Sequence, residues 1–266
     1  MFNRRNLPLA IIAGIVFGFL PTQALAEHFV LICVPGGPGS QAEAQERIDL
    51  FLGELSKGTG KTLTGAYANT RRDCDKMIGE KKPQFALFAH GELAARGAAL
   101  KATPLLEVIP QNNSAMRYHL VAQKGATLES IKGGELLSPH WEDEGFLSGR
   151  VFKMPLKEVF KGKRGSALRA IKKVAKGKAD VALLNELEFN GIQETKFAND
   201  LFAVVSSPEL PGVALVELGG QSELGRKVQA SGEKVCSRAP AACKGVEMSA
   251  LKSADATRYD MILSKP

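Results

Sequence analysis

Short apolar runs alternate with amphipathic stretches along the first hundred residues of the chain. Residues 28–34 form a nearly continuous apolar run that ends in the Gly- and Pro-rich segment 35–40, and apolar residues then recur at helical spacing over residues 44–55. The same order of strand, loop and helix repeats over residues 63–78 and 85–100. Strands that alternate with helices predict a parallel sheet with helices packed on both faces.

The pattern restarts after two extended runs at residues 105–109 and 116–123, which predict a crossing to a second group of strands and helices. Further extended runs at residues 201–206 and 213–218 predict a return crossing. We therefore predict an α/β fold of two doubly wound sheets joined by two crossing strands. The predicted boundaries are residues 27–113 and 204–266 for the first lobe and residues 114–203 for the second.

The amino-terminal segment has the pattern of a cleaved secretory signal. Arg4 and Arg5 precede an apolar run at residues 7–20, and Ala24-Leu25-Ala26 is a small-x-small cleavage site. The run is shorter than the roughly 20 apolar residues that a membrane helix needs. We therefore expect residues 1–26 to be removed and the mature chain to act in the periplasm.

The net charge of the protein is modestly positive. The formal charge is +7, which falls to +5 without residues 1–26, and this modest excess favours an anionic partner only weakly. Basic residues are concentrated at residues 153–178, at spacings typical of an exposed helix face. Because aromatic residues do not alternate with them, we expect no nucleic-acid partner.

Four cysteines in an exported chain indicate disulfides, and three pairings are possible. Cys236 and Cys243 flank a turn-like segment and are the favoured pair. Cys33 lies in an apolar strand run and Cys74 begins a helical pattern, so each also suits a small buried apolar residue. No pair has the CxxC spacing of a redox or zinc site.

Four loops follow strands at positions where an open α/β sheet binds ligands, beyond the carboxyl ends of its strands. They are residues 37–41, 69–71, 90–91 and 138–144, where helices begin and offer N–H groups to a ligand. Arg71 can hold an acid group by charge-assisted hydrogen bonds, although residues 36–39 also suit an ordinary surface turn. The predicted ligand contacts are Gly39, Ser40, Gln41, Thr70, Arg71, His90, Ser138, His140, Trp141 and Asn185.

The sequence lacks the common catalytic motifs. It has no G-x-S-x-G elbow, no H-E-x-x-H pair and no dinucleotide fingerprint followed by an acid at the right distance. Residues 58–62 imitate the end of a phosphate loop but follow a helix rather than a strand. We expect a non-enzyme without a cofactor, and the remaining enzyme alternative is a hydrolase assembled from Ser40, His90 and Glu142.

Two segments carry a resemblance to a known family. The sequence Gly-Lys-Ala-Asp-Val-Ala at residues 177–182 and the sequence Val-Ser-Ser-Pro-Glu-Leu-Pro-Gly at residues 205–212 resemble type 2 periplasmic solute-binding proteins, in the phosphate/phosphite/phosphonate-binding branch. The resemblance implies two lobes that close on a small ligand like a hinge. It also implies delivery of that ligand to the membrane permease of an ABC transporter, and we expect a monomer. A sensor or accessory protein that presents the same ligand to a receptor is the alternative.

One loop departs from this branch. The resemblance implies a loop rich in Ser and Thr before Gly-Phe-Leu and a His near Ser166, whereas this chain has Trp-Glu-Asp-Glu at residues 141–144. Acids in a first turn often only stabilise the helix through its dipole. If the loop faces the cleft, a neutral, zwitterionic or cationic ligand becomes the alternative, as does a metal held by His140, Glu142, Asp143 and Glu144. The family and the residual charge favour a small acidic ligand, such as a phosphonate, phosphate or carboxylate.

Overall fold

The computed structural model describes residues 28–37, 39–111 and 116–264. The expected signal segment 1–26 and the predicted boundary at residues 113–114 lie outside the described residues. The strands are β1 (His28–Cys33), β2 (Leu63–Ala68), β3 (Phe85–Phe88), β4 (Thr103–Pro110), β5 (Tyr118–Gln123), β6 (Glu135–Ser138), β7 (Lys161–Arg164), β8 (Val181–Asn185), β9 (Leu201–Ser206), β10 (Ala214–Glu217) and β11 (Met248–Ser253).

Helices cover both sheets. They are α1 (Gln41–Thr59), α2 (Arg71–Lys81), α3 (His90–Arg96), α4 (Leu128–Ile131), α5 (Glu144–Phe146), α6 (Leu156–Val159), α7 (Ala167–Ala175), α8 (Glu186–Asn190), α9 (Glu223–Arg238), α10 (Pro240–Gly245) and α11 (Ala256–Leu263). Two 3₁₀ turns lie at Trp141–Asp143 and Gly191–Glu194, and a π-helical segment lies at Leu147–Phe152. None of the described helices is both long and apolar enough to span a membrane.

Each sheet forms the centre of one lobe. The sheet of lobe one has the strand order β11-β4-β10-β3-β1-β2, and the sheet of lobe two has the order β7-β6-β8-β5-β9. Parallel pairs join β1 to β2 and β3, and β6 to β7 and β8, whereas β10, β11 and β5 pair antiparallel with their neighbours. The two predicted α/β sheets are confirmed, but they are mixed. The strands that follow the crossing segments, β5 and β10, run antiparallel to β8 and β3.

Two crossing segments connect the lobes, one from β4 to β5 and one from β9 to β10. They pair with each other at an antiparallel bridge, where Leu210 N donates to Met116 O over 2.8 Å. The return segment is also fixed to lobe one, because Gly212 N donates to Glu107 Oε1 at 2.6 Å and the Tyr259 hydroxyl donates to Gly212 O at 2.9 Å. The lobe-one end of the return crossing is therefore held firmly.

One apolar core continues from lobe one into lobe two. Leu31 and Phe88 of the lobe-one sheet belong to the same buried cluster as Leu136 and Leu183 of the lobe-two sheet, and Tyr118 of β5 lies in the same cluster. A separate core in lobe one lies between its sheet and the pair α1 and α9. Burial of these side chains supplies most of the free energy that stabilises the fold.

The four cysteines form two disulfides. Cys236 and Cys243 are bonded, which confirms the favoured pair. Cys33 of β1 and Cys74 of α2 are also bonded, so the reading of each as a mere small buried apolar residue is wrong. Both of their side chains are fully buried, and the bond ties α2 to the sheet directly behind Arg71.

Removal of the Cys33–Cys74 bond should destabilise the protein more than removal of the Cys236–Cys243 bond. The bonded residues are 41 positions apart in the first pair and 7 in the second. Loop-closure entropy then gives about 4 and about 2.4 kcal/mol. We expect the double Cys→Ala variant of the first pair to lose roughly 1.5 kcal/mol more free energy of unfolding in urea than that of the second. Equal losses would contradict this expectation.

Candidate functional site

Arg71 joins the two lobes. Thr70 begins α2 by accepting a hydrogen bond from Asp73 N, and this cap places Arg71 at the first helical position. The Arg71 Nε donates to Glu92 Oε1 of lobe one at 2.7 Å. On its outer edge Nη1 donates to Glu142 O at 3.2 Å, and Nη2 forms an ion pair with Asp143. One guanidinium thus binds both lobes.

Glu92 holds Arg71 in this orientation. Its side chain is 0% exposed and also forms an ion pair with Arg96, so two guanidinium groups balance one buried carboxylate. Burial alone would lower the pKa of Arg71, but the hydrogen bond to Glu92 and the charges of Asp143 and Glu92 raise it above its ordinary value. Arg71 therefore stays charged, with its outer edge directed at lobe two.

The carboxylate of Asp143 fits against the backbone of lobe one. A Cβ atom placed on Gly91 would lie 1.9 Å from Asp143 Cγ, so only glycine permits this approach. The Asp143 side chain is 10% exposed. Burial raises the pKa of Asp143 above its ordinary value, against the opposing effects of Arg71 and His140. Arg71 and Gly91 together form a seat that holds an acid group, and we call it the anion seat.

The lobes also touch at a second place. A Cβ atom placed on Gly36, in the loop after β1, would lie 3.1 Å from Pro139 Cβ in the loop after β6. Gly36 has a φ of +82°, which other residues rarely adopt. Contacts at the anion seat and at Gly36 show that the structure has the two lobes closed on each other.

Three aromatic rings pack together at the interface between the lobes. Tyr118 of β5 packs edge-on against His140 of lobe two, with ring centres 5.3 Å apart, and against His90 of lobe one, with ring centres 6.2 Å apart. Burial, with the nearby charges of Asp143 and Glu188, raises the pKa of Tyr118, so its phenol stays protonated. The ring of Tyr118 thus contacts a histidine of each lobe at the interface.

The two histidines differ in their electrostatic surroundings. His90 Nε2 lies 2.8 Å from Pro211 O and must donate to it, because a carbonyl oxygen only accepts. Burial lowers the pKa of His90, so its ring is neutral. Burial would also lower the pKa of His140, but Glu188, at 2.9 Å from Nε2, and Asp143 raise it. Of the two, His140 is the one that gains a proton more readily.

The predicted contacts in the loops before α1, α2 and α8 serve mainly as helix caps. The Ser40 hydroxyl accepts from Glu43 N, and Ser40, Gly39 and Gln41 are exposed on lobe one. The Thr70 hydroxyl donates to Asp73 Oδ2 at 2.6 Å, and Asn185 Oδ1 accepts from Glu188 N at 3.0 Å. These short polar side chains satisfy backbone groups that the first turn leaves unpaired.

Two further predicted contacts lie within lobe two. The buried Ser138 hydroxyl donates to Leu183 O at 2.8 Å and accepts from His140 N at 2.9 Å. The Trp141 indole lies on Gly162 of β7, where a Cβ atom would come within 2.0 Å of it. Of the predicted set, the structure thus brings Arg71, His90 and His140 to the interface between the lobes.

The side chains of the alternative metal site do not converge in this structure. Glu142 pairs with Arg164 at 2.6 Å, Glu144 with Lys157 at 2.9 Å, and His140 with Glu188, so the four side chains diverge. Among the described residues, no group of three or more His, Cys, Asp or Glu side chains is placed to hold a metal ion. The hydrolase set does not assemble either, because Ser40 caps α1, His90 bonds the return crossing and Glu142 pairs within lobe two.

The sequence interpretation missed three residues of the site. Glu92 carried a signal, because Glu92 and Arg96 are four positions apart on one helix face. Glu188 stands three positions after Asn185, the spacing of a capping box, and its carboxylate then reaches His140. Tyr118 lies in an apolar strand run and gave no signal of its own.

No protein-family model matches the sequence, and no curated protein matches it. Solved structures share its fold. The binding-protein component of an ABC phosphonate transporter from Pseudomonas aeruginosa is 16% identical, with a TM-score of 0.65 over 89% of this chain and 83% of that chain. PhnD1 from Prochlorococcus marinus in complex with methylphosphonate is 17% identical, with a TM-score of 0.62 over 89% and 95% of the two chains.

A protein from Xanthomonas citri bound to ATP is similar as well, at 14% identity and a TM-score of 0.68 over 88% of this chain and 94% of that chain. These likenesses establish the two-lobed type 2 periplasmic binding-protein fold. They confirm, at the level of the fold, the resemblance inferred from residues 177–182 and 205–212.

Substitution of Gly91 by Ala should expel Asp143 from the anion seat. The added Cβ would overlap the carboxylate, and the end of that side chain can move away. We expect faster hydrogen–deuterium exchange in peptides that cover residues 139–146. Gly145→Ala is the matched control, because a Cβ atom at Gly145 meets nothing within 4 Å. Unchanged exchange in the Gly91 variant would show that Asp143 does not depend on this close approach.

Substitution of Glu188 by Gln should lower the pKa of His140, because burial then acts with less opposition. Since the pKa of folded His140 is raised, its pairing stabilises the wild type fully below the ordinary value of 6.5 and less as the pH rises through the raised value. The stability lost in Glu188→Gln should therefore be largest in mild acid.

An NMR titration of the His140 ring and urea unfolding at several pH values measure these effects. Gln at position 188 can keep the capping box. Glu186→Gln, which removes the partner of His119, is the control and should leave the titration of His140 unchanged. A His140 titration that is identical in wild type and Glu188→Gln would refute the electrostatic assignment.

Proposed function

We propose that this chain is an exported solute-binding protein that captures a small acidic ligand between its lobes and delivers it to the membrane permease of an ABC transporter. The ligand class is a phosphonate, phosphate or carboxylate. The observation that carries the proposal is the anion seat, in which Arg71 and the backbone at Gly91 hold a carboxylate between the lobes.

The anion seat keeps a guanidinium directed at lobe two. Within lobe one, Arg71 and Arg96 share the buried carboxylate of Glu92. Arg96 also pairs with the exposed Asp75, whereas Nη1 and Nη2 of Arg71 find their partners only in lobe two. Arg71 would therefore meet an incoming acid group with a charge that is already oriented.

The acidic loop at residues 142–144 repels an anionic ligand less than its three carboxylates suggest. Glu142 and Glu144 are neutralised by Arg164 and Lys157 of the same lobe, and only Asp143 is directed at lobe one. Of the three acids, a cationic ligand between the lobes would find only Asp143 without a partner in its own lobe. Binding proteins for phosphonate share the fold, one of them in complex with methylphosphonate, which supports an acidic ligand.

Substitution of Arg71 by Gln should weaken binding of methylphosphonate to ligand-free protein by about 1.5–3 kcal/mol, the scale of a hydrogen bond to a charged group. This corresponds to roughly a 10- to 150-fold higher Kd. Isothermal titration calorimetry measures the change. Arg72→Gln is the matched control, because Arg72 is the exposed neighbour on the same helix and loses the same charge.

A panel of phosphate, methylphosphonate and acetate, titrated beside divalent metals, tests the ligand class. Heat from the anions that is lost in Arg71→Gln and kept in Arg72→Gln supports the proposal. Heat from the metals alone would overturn it. Equal loss in both variants would mean that the charge of the surface, and not the anion seat, attracts the anion.

A further inference from the structure

The anion seat is filled by the chain's own carboxylate. Asp143 belongs to lobe two, and it occupies the outer edge of Arg71 and the space in front of Gly91 in lobe one. An acid group of a ligand would need the same donor atoms and the same space. If the seat binds an acidic ligand, as proposed above, Asp143 and the ligand therefore exclude each other.

We infer that Asp143 is an internal competitor for the anion seat: it keeps the ligand-free protein closed, and an acidic ligand enters by displacing it. When a ligand binds, its acid group replaces the carboxylate of Asp143 at Arg71. The closed arrangement forms without a ligand, and opening requires the ion pair to break.

Side-chain directions single out Asp143 for this role. Its neighbours Glu142 and Glu144 point back into lobe two, where Arg164, Ser148 and Lys157 bind them. The Asp143 side chain crosses to lobe one, and the missing side chain at Gly91 leaves it room. Because Glu92 already fixes the Arg71 Nε, the seat does not have to rearrange when the carboxylate leaves or returns.

A tethered competitor affects both affinity and selectivity. A group attached to the same chain acts at an effective concentration on the order of millimolar or more. A small anion with a single contact therefore does not displace it at micromolar concentration. A ligand has to bring further contacts, which favours acids with several oxygen atoms. If the seat is free in 1–10% of molecules, the apparent Kd is raised roughly 10- to 100-fold.

The first arm of the test needs no ligand. Small-angle X-ray scattering of ligand-free protein should show a larger radius of gyration for Asp143→Asn and Asp143→Ala than for wild type. Glu144→Gln is the matched control: it removes one negative charge at the next position, and it should stay as compact as wild type. Thermal melts show that each variant is folded, and the Asn variant keeps the shape of the side chain.

The second arm is calorimetric titration of the same proteins with methylphosphonate. We expect Asp143→Asn to bind roughly 10- to 100-fold more tightly than wild type and Glu144→Gln to bind like wild type. Folded Asp143 variants that are as compact as wild type and bind no more tightly would overturn the inference. They would leave the proposed function intact if wild type binds the anion.

The two claims fail in different ways. If the Asp143 variants open but neither they nor the wild type bind phosphate, methylphosphonate or acetate, the ligand class is wrong and the closing contact stands. If Glu144→Gln opens the protein or tightens binding as much as Asp143→Asn, loss of negative charge in the loop explains the effect, and Asp143 is not a competitor.

Discussion

The buried carboxylate of Glu92 is the constraint on which the site depends. An ionised group without exposure to water must be paired, and Glu92 receives Arg71 Nε and an ion pair from Arg96. Without this pairing, a long side chain at the first position of a helix could turn into the solvent. The pairing fixes the guanidinium plane of Arg71, directs Nη1 and Nη2 out of lobe one, and so determines what lobe two can present to them.

The crossings complete this arrangement. The return crossing is held at lobe one by His90, Glu107 and Tyr259, so its lobe-one end is the fixed side of the hinge. His140 and Asp143 belong to lobe two. Tyr118 lies between them, in contact with a histidine of each lobe, and its ring is the apolar surface that both lobes share. The contact between the lobes thus joins a positive group that lobe one fixes to a negative group of lobe two.

The sequence was sufficient for the elements and for part of the site. Alternating apolar runs predicted the two sheets, and Ser40 and Thr70 begin helices as their position after strands suggested. Arg71 was found because a basic residue at a helix start after a strand is a known place for anion binding. Strand β7 was missed because its residues Lys161–Arg164 include no large apolar side chain and form an exposed edge of the sheet.

What sequence patterns could not resolve is the direction of individual side chains. Glu142, Asp143 and Glu144 are one acidic run in the sequence, but successive residues of a helical turn point about 100–120° apart. Each therefore meets different partners. The Cys33–Cys74 bond and the contact of Asp143 with Gly91 depend on the same kind of information, because both join residues that are distant in the chain. The fold alone leaves the ligand open, and these directions determine the chemistry of the seat.

A crystal structure of the protein grown with methylphosphonate would show directly which group occupies the anion seat. We expect phosphonate oxygens within hydrogen-bond distance of Arg71 Nη1 or Nη2, in front of Gly91, with the Asp143 side chain moved out of the seat. A phosphonate bound elsewhere while Asp143 still pairs with Arg71 would contradict this expectation.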